Sequence, residues 1–319
     1  MSRDKRSYRS TQRTRRGAVT TFGSRTDVGC VRDHNEDSLV VAPPLFAVAD
    51  GMGGHAAGEV ASEIAVNVLA ELAPKDLDGA ALEHAVEEAN HEIIRAARDG
   101  RGREGMGTTL TACMLENERL VIAQVGDSRA YLLHHGKLQQ LTRDHSLMAD
   151  MIEAGQLTPE EARHHPQRSV ITRALGSDPN TRPDMYEINV ETGDRLLVCS
   201  DGLSSMIEDE QIEAVMRRVP DPQRCASQLV NEAIAAGGHD NVTVIVSKRH
   251  RIRRETPPHA GAQDEVLRGA GPRAVPGHPG RQRVGRAHVA PHHRIPGRGQ
   301  RQGRRLRGHP RRFPGHALI

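Results

Sequence analysis

The hydrophobic positions of the chain follow a helical period in some segments and form short continuous runs in others. From Val60 to Leu72 an aliphatic residue recurs at every fourth position, which predicts an amphipathic helix over residues 54–72. Three further helices are predicted, at residues 79–98, 208–218 and 221–236. The predicted helices therefore form two groups, one on each side of a central part that has a different pattern.

The central pattern consists of short runs of Val, Ile, Leu and Ala that end at Gly or polar residues, which is typical of buried strands. Tight turns join consecutive runs, so these strands are predicted to be antiparallel. Strands are predicted at residues 17–31, 38–50, 106–115, 120–125, 130–133, 186–191, 195–200 and 242–248. Helices before and after a series of antiparallel strands predict an α+β fold in which sheets pack together with helices outside.

Residues 142–185 have a third pattern, because they are rich in histidine and contain few strand signals. Thr158, Pro159 and Glu161 form a capping box with proline at the first helical position, which predicts a short helix there. His145 stands apart from the other histidines of this segment and is expected to have a structural role. The rest of the segment is predicted to be an ordered loop.

Charge divides the chain into three parts, although the overall net charge is only +3. Residues 1–16 carry +6 and residues 249–319 carry +14, so residues 17–248 carry −17. Neither end has a hydrophobic period, and both are predicted to be disordered, the first as a basic arm and the second as an Arg-, Gly-, Pro- and His-rich tail. Residues 17–248 are predicted to be one domain, whose acidity favours cation binding over a nucleic-acid groove.

Cysteine usage and the lack of long apolar segments indicate where the protein works. The four cysteines are scattered without a CxxC pair, which indicates buried, reduced thiols rather than disulfides or a zinc site. No apolar stretch approaches the roughly 20 residues of a membrane span, and the basic N-terminus lacks the hydrophobic segment of a signal peptide. A cytoplasmic protein without a membrane span is therefore expected.

Four short acidic motifs each place an aspartate next to a predicted strand: VADGMGGH (48–55), GDSR (126–129), CSDG (199–202) and HDNVT (239–243). Strand ends at one edge of a sheet bring such side chains together, and carboxylate oxygens are the ligands that hard divalent cations prefer. No His or Cys stands among them at a zinc spacing, so Mg²⁺ or Mn²⁺ is favoured. The candidate ligands are Glu36, Asp37, Asp50, Asp127, Asp201 and Asp240, with the main-chain carbonyl of Gly51 as a further oxygen.

This set of ligands predicts a metal-dependent hydrolase. Two divalent ions that share a water lower its pKa and bind a phosphate for in-line attack. Arg32 lies four residues before Glu36 and is the best-placed partner for phosphate, because its planar guanidinium holds two oxygens at once. A lone Asp-Gly is usually only a turn, so the prediction depends on four strand-end aspartates in one domain.

Seven motifs between about Ser24 and Ser247 resemble, in order and spacing, the bacterial branch of the metal-dependent protein phosphatases, the protein phosphatase 2C type. The resemblance implies a four-layer α-β-β-α sandwich of two antiparallel sheets flanked by helices. It also implies hydrolysis of phosphoserine and phosphothreonine in proteins, which reverses serine/threonine kinase signalling. The motifs are VRDHNEDS (31–38), FAVADGMGGHAAGEVAS (46–62), GMGTTLTA (105–112), VGDSRAYLL (125–133), HPQRSVITRALG (165–176), GDRLLVCSDGLS (193–204) and GGHDNVTVIV (237–246).

The resemblance also implies roles for the residues that carry the reaction. Asp50 would bridge two Mn²⁺ or Mg²⁺ ions, and the carbonyl of Gly51 would bind one of them. Asp201 and Asp240 would complete the second metal site. Arg32 matches the arginine that binds phosphate, so the water activated between the two metal ions would attack a phosphate held in place.

Other residues would support this centre. Glu36 and Asp37 would ligate directly or through waters, and Asp127 would hold a third metal ion. Asn241 would hold Asp240 in place without itself binding a metal ion. Residues 145–176 would form a flap that shapes access of the substrate.

The sequence departs from the animal enzymes of this type at the residue after the Asp-Gly pair. Animal members carry a histidine there, proposed as the acid for the leaving group, whereas this chain has Met52. The leaving group would then take its proton from a water at the metals or from His55.

Two alternatives remain open at this point. The first is a narrow-specificity regulatory phosphatase that acts on one partner protein. The second is a binding protein that acts through its basic ends. In the second case the tail would bind nucleic acid or an acidic partner with strong salt dependence. The main prediction is a monomer that acts on phosphoprotein substrates of a serine/threonine kinase.

Overall fold

The computed structural model of the protein describes residues 7–13, 18–53 and 57–251. These residues contain twelve strands: β1 (Ser7–Arg13), β2 (Ala18–Asp27), β3 (Asp37–Ala42), β4 (Leu45–Met52), β5 (Gly107–Thr108), β6 (Leu110–Glu116), β7 (Arg119–Val125), β8 (Arg129–His134), β9 (Lys137–Gln140), β10 (Asp184–Asn189), β11 (Arg195–Cys199) and β12 (Val242–Arg251). They also contain seven helices: α1 (Ala57–Leu72), α2 (Gly79–Arg98), α3 (Leu147–Glu153), α4 (Pro159–Arg163), α5 (Asp201–Ser204), α6 (Asp209–Arg218) and α7 (Pro222–Ala235).

The strands form two antiparallel sheets. The first has the spatial order β1-β2-β12-β11-β8-β9. The second has the order β10-β7-β6-β4-β3, with β5 paired to β4. Strands that follow each other in the chain, such as β6 and β7, pair directly, as the tight turns of the sequence predicted. β9, which pairs with β8, was not among the predicted strands.

Three clusters of buried side chains give the molecule its layers. Helices α1 and α2 cover the second sheet, where Leu69 packs in one cluster with Leu110. Helices α6 and α7 cover the first sheet, where Leu229 is fully buried. The two sheets meet at a third cluster, in which the rings of Phe22 and Phe46 pack edge to face with centroids 5.8 Å apart. The predicted four-layer α-β-β-α sandwich is confirmed.

The two ends of the domain differ from the prediction. Ser7–Arg13 form a strand paired with β2, whereas a disordered arm was predicted over residues 1–16, so that prediction is wrong for these seven residues. Main-chain pairing to the edge of β2 requires no hydrophobic period, which is why the sequence pattern did not reveal it. At the other end, β12 continues three residues past position 248 to Arg251. The remaining residues of the predicted arm and tail lie outside the described residues.

Local signals place the helix starts. Asp78 caps α2 by accepting hydrogen bonds from the main-chain N–H groups of Ala80 (3.1 Å) and Ala81 (3.2 Å). The predicted capping box of Thr158 and Glu161 is present at the start of α4. Within the described residues no helix combines the length and the hydrophobicity that a membrane span requires.

Candidate metal centre

Strand ends from both sheets bring five of the predicted acidic ligands together. Asp37 stands opposite Asp50 in the pair of β3 and β4. Asp127 follows β7, Asp201 begins α5 directly after β11, and Asp240 precedes β12. The carboxylate of Asp50 is close enough to the other four for their negative charges to raise its pKa, after burial as the largest cause. The five aspartates therefore form one cluster, called here the acidic centre.

Gly202 allows two of these aspartates to become neighbours. A Cβ atom on Gly202 would lie 1.9 Å from the main-chain oxygen of Asn241, a distance that no side chain tolerates. Only glycine therefore lets the start of α5 pack against the segment before β12. The Asp-Gly of this motif is required by the approach of Asp201 to Asp240, and not only by a turn.

Gly51 has a packing reason for being glycine. A Cβ atom there would lie 2.2 Å from the main-chain oxygen of Gly58 and 2.6 Å from that of Glu36. The main-chain N–H of Gly51 also donates to the oxygen of Glu36 at 3.2 Å. Glycine at this position lets β4 lie directly beneath α1 and beside the loop that carries Glu36, which keeps that loop at the acidic centre.

Asn241 ties two loops together, the one before β12 and the one between β2 and β3. Its main-chain N–H donates to Asp240 Oδ1 at 2.8 Å, and its side-chain Oδ1 accepts the N–H of Glu36 at 2.8 Å. Its Nδ2 donates to the carbonyl oxygens of Val28 (3.1 Å) and His34 (2.9 Å). The main chain of Asn241 thus contacts Asp240, while its side chain holds the loop that carries Glu36 and Arg32.

Ser200 and Thr109 hold acidic residues in place, and sequence reasoning assigned a role to neither. Ser200 Oγ donates to Asp37 Oδ2 at 2.8 Å and accepts the N–H of Thr243 at 3.0 Å. Thr109 Oγ1 accepts the N–H of Asp50 at 3.0 Å. Both lie inside motifs that carry the family resemblance, so their position there was the one available signal.

Electrostatics show that the acidic centre is incomplete without a cation. Burial is the largest cause that raises the pKa of Asp37 to about 7, of Asp127 to about 8 and of Asp201 to about 6, and repulsion by neighbouring carboxylates adds to it. In the part of the chain that the structure describes, the Oδ1 atoms of these three residues are buried and accept no hydrogen bond. Buried polar atoms are almost always satisfied, so these oxygens indicate a missing partner. An all-oxygen donor set fits Mg²⁺ or Mn²⁺.

Arg32 lies at the edge of the acidic centre. Its Nη2 is 2.8 Å from Asp240 Oδ2, and half of its side chain is exposed to solvent. The guanidinium is therefore held by a residue of the centre and remains accessible from outside. This placement suits an arginine that binds an incoming anion.

His145 connects the loop of Asp127 to the segment predicted as a flap. Its Nδ1 accepts the N–H of Gly126 at 3.1 Å, and its own main-chain N–H donates to the oxygen of Gly126 at 2.9 Å. Because Nδ1 accepts, we assign the proton to Nε2, which lies 3.1 Å from Asp184 Oδ2 and 3.2 Å from Arg173 Nη1. Burial lowers the pKa of His145, which favours this neutral form. The structural role expected for His145 is thus a specific one, next to a predicted ligand.

A cavity of about 580 Å³ opens beside the acidic centre. Asp127, Asp201 and Asp240 line one side of it, and residues of α3 and α4 line the other. The segment predicted as a flap thus borders the acidic centre. His55, the predicted proton source, lies outside the described residues.

Comparison with known proteins agrees with this geometry. The sequence profile of the family described as Protein phosphatase 2C matches residues 32–235, which is more than half of the chain. The serine/threonine protein phosphatase PstP of Mycobacterium tuberculosis (strain H37Rv) is 43% identical over 232 residues, which are 72% of this chain and 45% of that protein. This chain therefore spans about half the length of PstP. The serine/threonine phosphatase stp of Listeria innocua is 37% identical over 243 residues, which are 72% of this chain and 96% of that protein.

Solved structures show the same similarity. The catalytic domain of PstP, in complex with two manganese ions, superposes with a TM-score of 0.68 at 40% identity. The alignment covers 73% of this chain and 99% of that structure. The PstP catalytic domain, which has a fold similar to that of this chain, therefore holds two manganese ions.

Proposed function

The chain belongs to the protein phosphatase 2C family, and from that premise we propose that it removes phosphate from phosphoserine and phosphothreonine of proteins at the acidic centre. The observation that supports this most is the set of buried, unpartnered oxygens of Asp37, Asp127 and Asp201. Bound Mn²⁺ or Mg²⁺ would supply an activated water and neutralise charge on the phosphate. The proposed ligands are Glu36, Asp37, Asp50, the Gly51 carbonyl, Asp201 and Asp240 for two ions, with Asp127 for a third.

The residues of the chain would divide the remaining work. Arg32, half-exposed beside Asp240, would bind and orient the phosphate through its two Nη groups. Asn241 would hold Glu36 in place through a hydrogen bond that spans 205 positions of sequence, and Ser200 would hold Asp37 through one that spans 163 positions. The cavity beside α3 and α4 would receive the phosphorylated segment of the substrate.

We further propose the setting in which the enzyme acts. Its substrates would be phosphoproteins made by a serine/threonine kinase, and it would act as a monomer in the cytoplasm. The catalytic unit would be residues 7–251, because β1 and the last residues of β12 both pair with β2. The basic tail would be dispensable for hydrolysis, so a chain that ends at Arg251 is expected to keep the activity of the full chain.

The direct test is hydrolysis of a small aryl phosphate and of a phosphothreonine peptide by the full chain. Each substrate is assayed with Mn²⁺, with Mg²⁺ and with a chelator. We expect release of phosphate from both substrates with either metal and none with the chelator. Absence of turnover with every metal would contradict the proposal and would direct attention to binding by the basic ends.

A further inference from the structure

At the end of β8 farthest from the acidic centre, His134 and His135 lie close to Glu191, which follows β10. We propose that these three residues bind one divalent transition ion of the Zn²⁺, Co²⁺ or Ni²⁺ class. The ligand atoms that they offer all lie within 4.8 Å of one another. β8 ends seven residues after Asp127, which at about 3.3 Å per residue of strand separates the two sites by roughly 20 Å. This site is therefore distinct from the acidic centre.

The backbone brings the two imidazoles to the same side. Successive residues of a strand point to opposite faces, which would separate His134 from His135. The turn between β8 and β9 changes this, because His135 has a φ of +48° and Gly136 a φ of +78°. The ring centroids of the two histidines consequently lie 4.0 Å apart. This left-handed turn conformation, which histidine tolerates better than most residues, is therefore what brings the two rings together.

The surroundings of His134 are those of a metal ligand. Its Nδ1 lies 2.9 Å from Oδ1 of Asp194, a buried residue. A carboxylate that takes the Nδ1 proton fixes the ring and leaves the Nε2 lone pair for a metal, as is usual for histidine ligands. Asp194 is held in turn, because its Oδ2 accepts the main-chain N–H of Glu191 at 2.7 Å. The turn from Glu191 to Asp194 thus orients the ring of His134 through Asp194 and places Glu191 beside it.

The donor set defines the class of ion. Two imidazoles and one carboxylate suit Zn²⁺, Co²⁺ or Ni²⁺, whereas Mg²⁺ prefers oxygen alone. His135 Nε2 is 3.7 Å from Glu191 Oε2, so a small rotation of these exposed side chains brings both onto one ion. Of the nearby cations, Lys137 lies 3.8 Å from Glu213, and Arg249 interacts with Asp194 behind the site. Three protein ligands leave a position for water.

A matched control exists on the flap. His164 Nε2 lies 3.6 Å from Glu160 Oε1 one helical turn away, and both side chains are exposed. This pair offers two donors of the same kinds, but it does not belong to a group of three among the described residues. A variant at His164 should therefore behave like the wild type.

The test compares Zn²⁺ binding by full-chain wild type, His135→Ala, Glu191→Gln and His164→Ala proteins. Equilibrium dialysis in excess Mg²⁺ gives the number of Zn²⁺ ions bound per chain. The sequence has seven further histidines after residue 251, so the difference between variants is the informative quantity. Oxidation by Cu²⁺ and ascorbate, mapped by mass spectrometry, then locates the occupied site. Hydrolysis of the aryl phosphate with Mn²⁺ serves as the folding control and is expected to be unchanged.

We expect His135→Ala to bind one Zn²⁺ ion fewer than the wild type and Glu191→Gln to bind that ion at least about tenfold more weakly. The control His164→Ala should match the wild type, and oxidation should fall on the peptide that contains residues 134 and 135. Equal Zn²⁺ binding by all four proteins, or oxidation confined to other histidines, would overturn the proposal. Either outcome leaves the proposed phosphatase activity untouched, since that activity is read separately.

Discussion

Two aspartates at strand ends, Asp27 and Asp201, have buried carboxylate oxygens and differ in their hydrogen-bond partners. Asp27 ends β2, and both of its oxygens have donors within the chain. Arg25 Nη2 lies 3.0 Å from its Oδ2, and the N–H of Gly29 lies 3.2 Å from its Oδ1. Asp201 follows β11, and its Oδ1 is buried without a hydrogen-bond partner among the described residues. The two positions are alike in sequence context, yet only the first is complete.

This difference separates a structural carboxylate from a candidate ligand. A buried charge needs a partner of opposite charge, and Arg25, itself held by Asn231 Oδ1 at 2.7 Å, supplies one to Asp27. The aspartates of the acidic centre repel one another instead, so their compensation comes from a cation. A strand end positions an aspartate. For Asp37, Asp127 and Asp201, a buried oxygen without a donor among the described residues then marks the carboxylate as a candidate ligand. Asp240 accepts from Arg32 and Asn241 and is a candidate through its place in the acidic centre.

The largest expected effect is the loss of activity on changing Asp201 to Asn. We expect kcat/KM for an aryl phosphate to fall by about 10³-fold or more, since a charged group at the reacting centre is lost. The free energy of unfolding of the metal-free protein should stay the same or increase, because one of several repelling charges is removed. Kinetics and thermal denaturation with chelator give the two values. Glu210→Gln, an exposed change on α6, is the control, and full activity of Asp201→Asn would refute the assignment.

Asp27→Asn should show the opposite behaviour. Removal of one partner from a buried ion pair typically costs about 3–5 kcal/mol of unfolding free energy. The activity per folded molecule should change by only a few fold, because Asp27 is not one of the proposed ligands. Urea denaturation and assays well below the unfolding midpoint measure the two effects. A variant of normal stability without activity would mean that Asp27 belongs to the reacting centre after all.

The pH dependence of stability should report the raised pKa values of the acidic centre. The folded pKa values of Asp201, Asp37 and Asp127 are raised to about 6, 7 and 8. The folded chain therefore binds more protons than the unfolded chain between these values and their ordinary ones near 4. Stability of the metal-free protein should fall as pH rises through that window. Excess Mn²⁺ should remove this slope, and a slope that persists unchanged would argue against metal binding by these groups.

The smallest expected effect concerns His145, which acts on Asp127 through Gly126. Replacement by Leu leaves the buried N–H of Gly126 without its acceptor, at a cost of about 1–3 kcal/mol, whereas Asp184 keeps its bond from Arg173 Nη1. We also expect a higher Mn²⁺ concentration for half-maximal activity, because the loop of Asp127 is no longer fixed. Replacement by Gln, which keeps an acceptor and a donor, should lie between Leu and the wild type. Identical Mn²⁺ dependence in all three proteins would limit His145 to folding.

The features that the sequence predicted well are those with local or repeated signals. The helix over residues 79–98 and the capping box at Thr158 were predicted because their determinants lie within a few positions of each other. The candidate ligands were proposed because each stands beside a strand in a motif, and their metal binding stays a prediction. Interactions between distant positions were not predictable. Ser200 and Asp37 are 163 positions apart in the sequence, and no local pattern predicts the hydrogen bond between them. β1 escaped prediction because main-chain pairing has no side-chain signature.

The central claim is that the acidic centre is a binuclear metal site, and calorimetric titration of Mn²⁺ into the metal-free full chain tests it most directly. We predict tight binding of about two Mn²⁺ ions, by analogy with the two in the related solved structure. Asp201→Asn should lose tight binding, whereas Asp27→Asn, assayed where it is folded, should retain it. No tight binding by the wild type, or binding that Asp201→Asn leaves unchanged, would contradict the claim.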